Sequence, residues 1–388
     1  MSSKKQNITL YLGIYNGEKY IDSLLEQIQS QENQKFTILV VDNDSSDQSV
    51  KMFGDWKKIY KDNFQFVKNT VNYGGHGSLF KNMDKIKTPW FCTLHQDDFY
   101  KPNHTKTIAE LILASGNNTV GVSTTMGSIS NSGKILNSKP RVTWFSSNLD
   151  EPGQFLQNLK AQAVPFPATA FNSSIFKKTI VPFHSPTFSD TEQTLKMLGY
   201  GRFIFSQKET MYYRENPNSE SHVLNLKERT IGAAVALARI FNSNEFELIL
   251  NKVAENKRNS FAAQLIEALP HRIPQSDLLI TTQTIALERM IIKWGYGEKE
   301  LSFILGENYA NLSSALAVDV INNLSNNRIK VKKTLSGIKS QTLASKIWNI
   351  YFNLNIFKSV KLNKFFIKNL YKIIFIFKPD HRMKNKWK

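Results

Sequence analysis

The stretch that decides the fold is ITLYLGIYNGEKYIDSLLEQIQSQENQKFTILVVDNDSSD, residues 8–47. Residues 8–16 predict a buried strand, and residues 18–31 carry apolar side chains at helical spacing. Residues 36–42, FTILVVD, are rich in β-branched side chains and predict a second strand. A strand, a helix and a strand joined by short connections are typical of parallel strands with a crossover helix, so the stretch predicts an α/β fold.

The same alternation continues over the next fifty residues of the chain. Residues 49–60 and 76–86 have helical spacing, whereas residues 64–69 and 89–95 predict strands. We therefore expect a mostly parallel central sheet flanked by helices.

A short polar cluster follows each of the four predicted strands. The clusters are YNGE at residues 15–18, DNDSSD at 42–47, NYGGHG at 72–77 and HQDD at 95–98. The carboxyl ends of parallel strands meet at one edge of the sheet, where such folds bind ligands. The alternative for any one cluster is an ordinary turn or helix cap, for which Asp, Asn, Ser and Gly are the usual residues.

The acidic residues of these clusters suit a ligand that is both hydroxylated and phosphorylated. Asp97 or Asp98 could hold Mg²⁺ or Mn²⁺, since hard oxygen ligands suit these cations and the cation can bridge phosphate oxygens. Asp42 could accept hydrogen bonds from a base ring or a ribose. A dinucleotide is disfavoured because NYGGHG lacks the spacing of the dinucleotide-binding glycine motif.

The net charge of +18 is concentrated in one part of the chain. Residues 320–388 contain 16 lysines and arginines and one aspartate, so the other residues are close to neutral. Between residues 354 and 372 the lysines recur every three or four residues, which predicts a basic amphipathic helix attracted to an anionic membrane surface. A helix packed on the body is the alternative. Nucleic acid is disfavoured because no base-reading fold accompanies the basic residues.

These patterns predict three parts: an α/β domain over residues 1–222, a helical domain over residues 223–345 and a basic tail over residues 346–388. The single cysteine, Cys92, cannot form an intramolecular disulfide. No stretch approaches the roughly 18 apolar residues that a membrane span needs. We therefore expect a cytoplasmic protein that lies peripherally on the inner face of the cell membrane.

The residues also carry a resemblance to a known family. Residues 10–49 resemble the opening of the family 2 inverting glycosyltransferases of GT-A fold, with their T-Y-N turn, long helix and V-V-D-D-G-S-x-D pattern. NYGGHGSLFKNMDKI resembles the following N-x-G helix, and WFCTLHQDDFYKPN resembles the D-x-D strand. Within the family, the glutamine between the acids is most similar to the bacterial rhamnosyltransferase subgroup. The resemblance covers residues 8–221.

The resemblance implies roles for the polar clusters, position by position. It implies that Tyr15 and Asp42 contact the nucleotide base, with Asn72 near it, and that Asp97 binds the metal. His95 stands where the family has the first acid of D-x-D, so the resemblance puts metal dependence in doubt. The imidazole could donate to a ribose hydroxyl or a phosphate, or it could be a structural turn residue.

The segment TFSDTEQTLKMLGYG, residues 187–201, resembles the family's E-D motif, with Ser189 in place of the usual Glu. The resemblance implies that Asp190 is the base that deprotonates the acceptor, with Glu192 in reserve. An N-cap role is the alternative for Asp190. Arg214 lies in a segment similar to the family's Y-R-x-x-x-N-x-S and is expected to face the diphosphate or the acceptor, or to form a structural ion pair.

The expected function is transfer of a sugar from a nucleotide diphosphate to a lipid-linked oligosaccharide or polysaccharide of the bacterial surface, with inversion. Deoxythymidine diphosphate rhamnose is the first donor to test because of the subgroup resemblance. The alternative is a catalytically weakened relative that binds glycan or assists assembly at the membrane.

Overall fold

The computed structural model describes residues 7–136, 148–160, 164–181, 188–216, 226–274 and 277–296, with Glu300 and Ile304. Within these residues one sheet is built from strands β1 (Ile8–Ile14), β2 (Phe36–Asp42), β3 (Phe64–Lys68), β4 (Trp90–His95), β5 (Phe99–Tyr100), β6 (Thr119–Ile129), β7 (Ile135–Leu136), β8 (Thr169–Asn172) and β9 (Arg202–Arg214). The strand order is β3-β2-β1-β4-β8-β6-β9-β5, and β7 pairs with β6.

The described residues also form helices. They are α1 (Glu18–Gln29), α2 (Ser49–Tyr60), α3 (Gly75–Asn82), α4 (His104–Ala114), α5 (Glu151–Lys160), α6 (Ser173–Lys178), α7 (Ser189–Met197), α8 (Leu226–Phe241), α9 (Asn244–Lys252), α10 (Arg258–Ala268) and α11 (Asp277–Trp294). The expected α/β fold with a helix-flanked central sheet is confirmed.

The sheet is parallel where the sequence alternates regularly and mixed elsewhere. Strands β1 to β4 pair in parallel, whereas β8 runs antiparallel to both β4 and β6. Strand β9 is parallel to β6, and the short β5 is antiparallel to β9. The regular βα repeat therefore ends at β4, and the strands after it reach their places through less regular connections.

The strand order reverses at β1, which lies between β2 and β4. From β1 the chain continues to β2 and β3 on one side and returns to β4 on the other. Gly13 of β1 is opposite Val41 of β2 and His95 of β4. This reversal creates a switch point, the place where open α/β sheets leave a crevice for ligands.

The core lies on both faces of the parallel strands. Leu10, Leu12 and Val40 have no exposed surface, because helices cover the sheet on both sides, as is usual for parallel sheets. Phe53 and Trp56 of α2 pack edge to face, with ring centroids 5.2 Å apart. The packing of the strands fixes where each strand ends at the edge of the sheet. It thereby fixes the positions of the polar turns that follow the strands.

Two helices that the sequence analysis assigned to a separate helical domain belong to the same compact unit as the sheet. The chain divides into one unit ending at Ala254 and another beginning at Glu255, whereas the expected boundary was residue 222. Helices α8 and α9 pack against α7 and α5. The Tyr200 hydroxyl lies 3.3 Å from Glu245 Oε1. These contacts place α8 and α9 in the same compact unit as the sheet, although both helices follow the last strand.

The second unit contains α10 and α11. Phe261 and Trp294 pack edge to face within it, with ring centroids 6.1 Å apart. No helix among the described residues has both the length and the apolar content of a membrane span. The expected basic tail, residues 346–388, lies outside the described residues.

A buried ion pair attaches α8 to α7. Arg239 Nε donates to Glu192 Oε1 over 2.9 Å, and Arg239 Nη2 donates to Glu192 Oε2. Glu192 has no exposed surface, so its charge has no access to water. Removing one partner of such a pair leaves the other charge buried and uncompensated.

We predict that Glu192→Gln lowers the free energy of unfolding by about 3–5 kcal/mol, because the Arg239 guanidinium loses its counter-charge. Urea denaturation followed by tryptophan fluorescence measures this change. Asp55→Asn is the control, since Asp55 forms an ion pair with Lys58 in which both side chains are exposed (74% and 80%). Equal midpoints for both variants would contradict a structural role for the Glu192–Arg239 pair.

Candidate active site at the switch point

The first two polar clusters mostly bind each other. Asn16 and Asp44 adopt positive φ angles of 46° and 71°, conformations that Asn and Asp tolerate better than most residues. The turns after β1 and β2 are joined by hydrogen bonds of 2.9–3.1 Å from Asn16 N to Ser45 Oγ, Gly17 N to Ser49 Oγ, Glu18 N to Asp47 Oδ2 and Gln48 N to Glu18 Oε2. Most of these side chains therefore fix the turns, as the alternative in the sequence analysis supposed.

Two groups in these clusters are not used in this way. The Tyr15 side chain is 46% exposed, which is unusual for an aromatic residue at the end of a central strand. Asp42 is fully buried; its Oδ2 accepts from Ser45 N at 3.2 Å, and its Oδ1 has no hydrogen-bond partner. A buried acceptor without a donor is energetically costly, so Asp42 Oδ1 suits a ligand N–H or O–H.

The third cluster is held by side-chain amides. Asn43 Nδ2 donates to Asn72 Oδ1 over 2.7 Å and to the Gly74 carbonyl over 3.2 Å. Asn43 Oδ1 accepts from Asn69 Nδ2 at 3.1 Å. Asn72 Oδ1 also accepts from Gly74 N at 2.8 Å, where φ is 74°. The carbonyl oxygen of Asn72 therefore shapes the turn beside Asp42, while the expected contact of Asn72 with a base stays a prediction.

The fourth cluster, the HQDD turn (residues 95–98), is joined to the end of β1 by Gln96. Gln96 Oε1 accepts from Tyr15 N at 3.0 Å, and Gln96 Nε2 donates to the Tyr15 carbonyl over 3.1 Å. A Cβ atom at Gly17 would lie 2.5 Å from Gln96 Oε1, so only glycine allows this approach. The bridge crosses the switch point and sets the position of Tyr15 relative to the turn.

His95 and Asp98 form a pair within the HQDD turn. His95 Nδ1 lies 3.3 Å from Asp98 Oδ2, and the imidazole is 41% exposed whereas the carboxylate is 1% exposed. Burial alone lowers the pKa of His95, but the hydrogen bond to Asp98 and the charges of Asp98, Asp97 and Asp190 raise it overall. Burial raises the pKa of Asp98, and His95 opposes that rise. The pair thus favours a protonated imidazole at the mouth of the site.

Arg214, at the end of β9, holds the other side of the HQDD turn. Its backbone N donates to Asp98 Oδ1 over 2.9 Å, and its Nε donates to the Asp97 carbonyl over 2.6 Å. Its Nη1 donates to the carbonyls of Ser130 and Asn131 over 3.0 and 3.1 Å. Asp98 is therefore occupied by internal partners, whereas no described residue donates a hydrogen bond to the Asp97 carboxylate.

The structure brings Asp190 to the same site and gives Glu192 a different role. Asp190 is in the first turn of α7, where its Oδ1 accepts from Thr191 N at 2.7 Å. Its charge contributes to the raised pKa of His95, so the two residues are electrostatic neighbours. Both oxygens of Glu192 are engaged by Arg239, which leaves Asp190 as the candidate base.

The oxygen groups of this site fit a divalent cation that is bound together with a diphosphate. No group of three or more His, Cys, Asp or Glu side chains in the described part of the chain could hold a metal. Asp97 offers a carboxylate that no described residue donates to, and Mg²⁺ is commonly held by one or two carboxylates plus phosphates and water. Asp98 supports the turn instead of facing outward.

Gln96 and Asn43 are structurally central residues that the sequence analysis did not single out. Gln96 contacts a residue 81 positions away, and Asn43 contacts one 29 positions away. No local spacing signals such pairs. The only indication in the sequence is that each of the two residues directly follows a predicted strand. The strand order then brings the ends of neighbouring strands together.

The chain was compared with known families and sequences. Residues 10–180 match the family described as Glycosyl transferase family 2. A stretch of 91 residues is 33% identical to a Teichoic acid poly(glycerol phosphate) polymerase of Staphylococcus epidermidis. This match covers 24% of the present chain and only 13% of the relative, so it concerns a small part of that protein.

Comparison with solved structures gives the same fold. A crystal structure of S. aureus TarS 1-349 matches with a TM-score of 0.54. A second crystal structure of the same protein, in complex with UDP-GlcNAc, matches with a TM-score of 0.55. The identities are 16% and 14%, and each match covers 86% of this chain and 93% of the other. At such low identity the likeness shows the fold, which is of GT-A type.

We predict that the imidazole of His95 titrates above pH 6.5, because negative charge around it outweighs its burial. Asp98→Asn should lower the pKa of His95, since it removes the largest favourable contribution. His104 is an internal control, because burial lowers its pKa to about 4. Titration of the imidazole C–H signals by NMR measures all three. An unchanged pKa of His95 in Asp98→Asn would show that the pair does not control its protonation.

Proposed function

Because residues 10–180 form a family 2 glycosyltransferase domain within a GT-A fold, we propose that this protein transfers a sugar from a nucleotide-diphosphate sugar to a bacterial cell-surface polymer or its lipid-linked precursor, with inversion. The observation that carries the proposal is the arrangement at the switch point. The groups that support the proposal are the exposed ring of Tyr15, the unpaired oxygen of Asp42, the Asp97 carboxylate, and Asp190, whose charge acts on His95.

The nucleotide base is proposed to occupy the crevice between β1 and β2. The exposed ring of Tyr15 offers a stacking surface, and Asp42 Oδ1 offers the buried acceptor that a ring N–H would satisfy. Asn72 supports this position through Asn43. Uracil and thymine both carry such an N–H, so uridine and deoxythymidine diphosphates are the first nucleotides to test.

The diphosphate is proposed to lie over the HQDD turn. Asp97 would hold a divalent cation, which when bound supplies positive charge to the leaving diphosphate. His95, with its raised pKa, would donate a hydrogen bond to a phosphate or ribose oxygen from the position where the family has an acid. Asp98 would raise the pKa of His95 and hold the turn in place.

Asp190 is proposed to act as the general base. It takes the proton of the acceptor hydroxyl as that oxygen forms a bond to the anomeric carbon. On the opposite face, the bond from the anomeric carbon to the diphosphate oxygen breaks, and its electron pair leaves with the nucleoside diphosphate. One displacement of this kind inverts the configuration at the anomeric carbon.

The acceptor is proposed to be a surface polymer because a stretch of 91 residues is 33% identical to part of a protein named for teichoic acid polymerisation. A lipid-linked acceptor would lie at the inner face of the cell membrane. The basic residues at 346–388 would hold the enzyme on this anionic surface from the cytoplasm.

A catalytically weakened, glycan-binding protein is the second candidate. Two observations favour it: His95 replaces an acid of D-x-D, and Ser189 replaces the glutamate before Asp190. Ser189 is also buried, so it cannot replace a missing carboxylate at the surface of the site. A protein of this class would bind the nucleotide or the glycan without turnover.

The central test is a screen of the purified chain against uridine, deoxythymidine and guanosine diphosphate sugars, with and without Mn²⁺. We predict that one donor is bound and turned over, and that Asp97→Ala and Asp190→Asn each reduce turnover by roughly 10²–10⁴-fold. Asp55→Asn, at an exposed surface position, should retain full turnover. Released nucleoside diphosphate is the readout.

The outcomes of this screen separate the candidates. Nucleotide binding without turnover in any preparation would favour the weakened protein, and absence of nucleotide binding would reject the glycosyltransferase. Full turnover in Asp97→Ala and Asp190→Asn would show that these residues are wrongly assigned, even if the protein is a glycosyltransferase.

Membrane attachment has its own test. We predict that deleting residues 346–388 abolishes co-sedimentation with vesicles of phosphatidylglycerol and phosphatidylcholine, because most of the excess positive charge is removed. Vesicles of phosphatidylcholine alone are the control and should bind neither protein. Unchanged binding of the shortened chain to anionic vesicles would contradict the proposal that residues 346–388 attach the protein to the membrane.

A further inference from the structure

Arg214 makes contacts that suit a role different from direct binding of diphosphate. We infer that Arg214 is a positioning residue: it holds the HQDD turn so that the Asp97 carboxylate faces the donor. The effect of Arg214 on donor binding rests on the proposed function. Its support of the HQDD turn can be tested in the protein without any ligand.

The contacts of Arg214 converge on backbone oxygens. Nε donates to the carbonyl of Asp97 itself over 2.6 Å. Nη1 donates to the carbonyls of Ser130 and Asn131, in the turn that joins β6 to β7. Two nitrogens of the guanidinium thus make three hydrogen bonds within the protein. The group joins the acid-bearing turn to a second turn that is more than 30 residues away in sequence.

The backbone of Arg214 adds a second bond to the HQDD turn. Its N–H donates to the buried Oδ1 of Asp98 over 2.9 Å, so both the main chain and the side chain of one residue hold consecutive aspartates. The side-chain bond fixes the peptide plane at Asp97, and the backbone bond draws Asp98 inward. With Asp98 held inside the protein, the neighbouring Asp97 carboxylate, which receives no hydrogen bond from any described residue, is left for a ligand.

A guanidinium is needed for these contacts. Its planar fork presents several N–H groups in fixed directions, whereas the ammonium of a lysine is a compact charge on a flexible stem. The Arg214 guanidinium carbon also lies 5.9 Å from the centroid of the Tyr20 ring, within cation–π range. The group is therefore held by neighbours on several sides, and its hydrogen bonds are directed at the turn.

Gln96 provides the matching support on the other side of the turn. Its bidentate bond to the Tyr15 backbone ties the turn to the proposed base site, whereas Arg214 ties it to β6 and β9. Loss of Arg214 should therefore release Asp97 while leaving Tyr15 and Asp42 in place. A residue that bound the diphosphate directly would show a different pattern.

The first arm of the test uses the full chain without ligand. Hydrogen–deuterium exchange in peptides covering residues 95–100 should become roughly tenfold or more faster in Arg214→Ala, since hydrogen bonds to a charged group are lost. Peptides covering β2 should not change, and Lys58→Ala should resemble the parent protein throughout. Unchanged exchange at residues 95–100 would overturn the inference whether or not the protein binds nucleotide.

The second arm measures binding of UDP and of dTDP, each with and without Mn²⁺, by calorimetry. Arg214→Ala and Arg214→Lys should both weaken the Mn²⁺-dependent part of binding as much as Asp97→Ala does, roughly tenfold. The double variant Arg214→Ala, Asp97→Ala should be no weaker than Asp97→Ala alone, because Arg214 acts through Asp97. Binding without Mn²⁺ should stay as in the parent protein.

Direct contact of Arg214 with the diphosphate predicts the reverse. Arg214→Lys would then retain much of the affinity, the effects of Arg214→Ala and Asp97→Ala would add, and binding without Mn²⁺ would weaken. If the parent protein binds neither nucleotide, the proposed function loses its support, and the exchange measurement alone decides the role of Arg214.

Discussion

The carboxylate of Asp98 is buried at the end of a central strand, and a buried charge needs partners. Its partners are the backbone N–H of Arg214 on one oxygen and His95 on the other. Meeting this requirement holds Asp98 inside the protein, while the neighbouring Asp97 carboxylate receives no hydrogen bond from any described residue. The same pairing raises the pKa of His95. Burial of one acid is thus linked both to the availability of its neighbour and to the pKa of the adjacent imidazole.

This constraint explains why the site consists of so few free groups. At the switch point most polar side chains serve the backbone: Asn16 and Asp47 join two turns, Asn43 holds a third, and Gln96 holds a fourth. Among the groups that remain available are an exposed ring, one oxygen of Asp42 and the Asp97 carboxylate. A rigid frame that leaves a small number of groups unpaired is suited to recognising a ligand with fixed geometry, because little ordering is needed on binding.

Much of the fold is predictable from sequence where periodicity is strong. The limits of β2 and α2 agree with the expected ranges 36–42 and 49–60, since β-branched runs and three-to-four spacing are local signals. The position of the candidate site was also predictable, because strand ends of a parallel sheet share one edge. The domain boundary was not, since the contacts of α8 and α9 with α7 and α5 are made only in three dimensions.

The roles of the individual acidic residues likewise depend on three-dimensional contacts as well as on sequence signals. Sequence likeness could draw attention to Asp97, Asp98, Asp190 and Glu192, but burial distinguishes them. Glu192 is paired with Arg239 inside the protein, and Asp98 is paired with His95 and Arg214. The spacing of residues in the sequence does not predict these contacts. Arg214 is similar: a lone arginine near an acidic motif suggests a phosphate ligand, whereas its hydrogen bonds to backbone carbonyls suggest a support for the turn.

A crystal structure of the chain with a nucleotide-diphosphate sugar and Mn²⁺ tests the central claim most directly. The account predicts that the base lies against Tyr15 with a ring N–H on Asp42 Oδ1 and that the cation lies on Asp97. It also predicts that the Asp190 carboxylate faces the anomeric carbon from the side opposite the diphosphate. A nucleotide bound away from the β1–β4 crevice, or a cation held by Asp98 with Asp97 turned away, would contradict it.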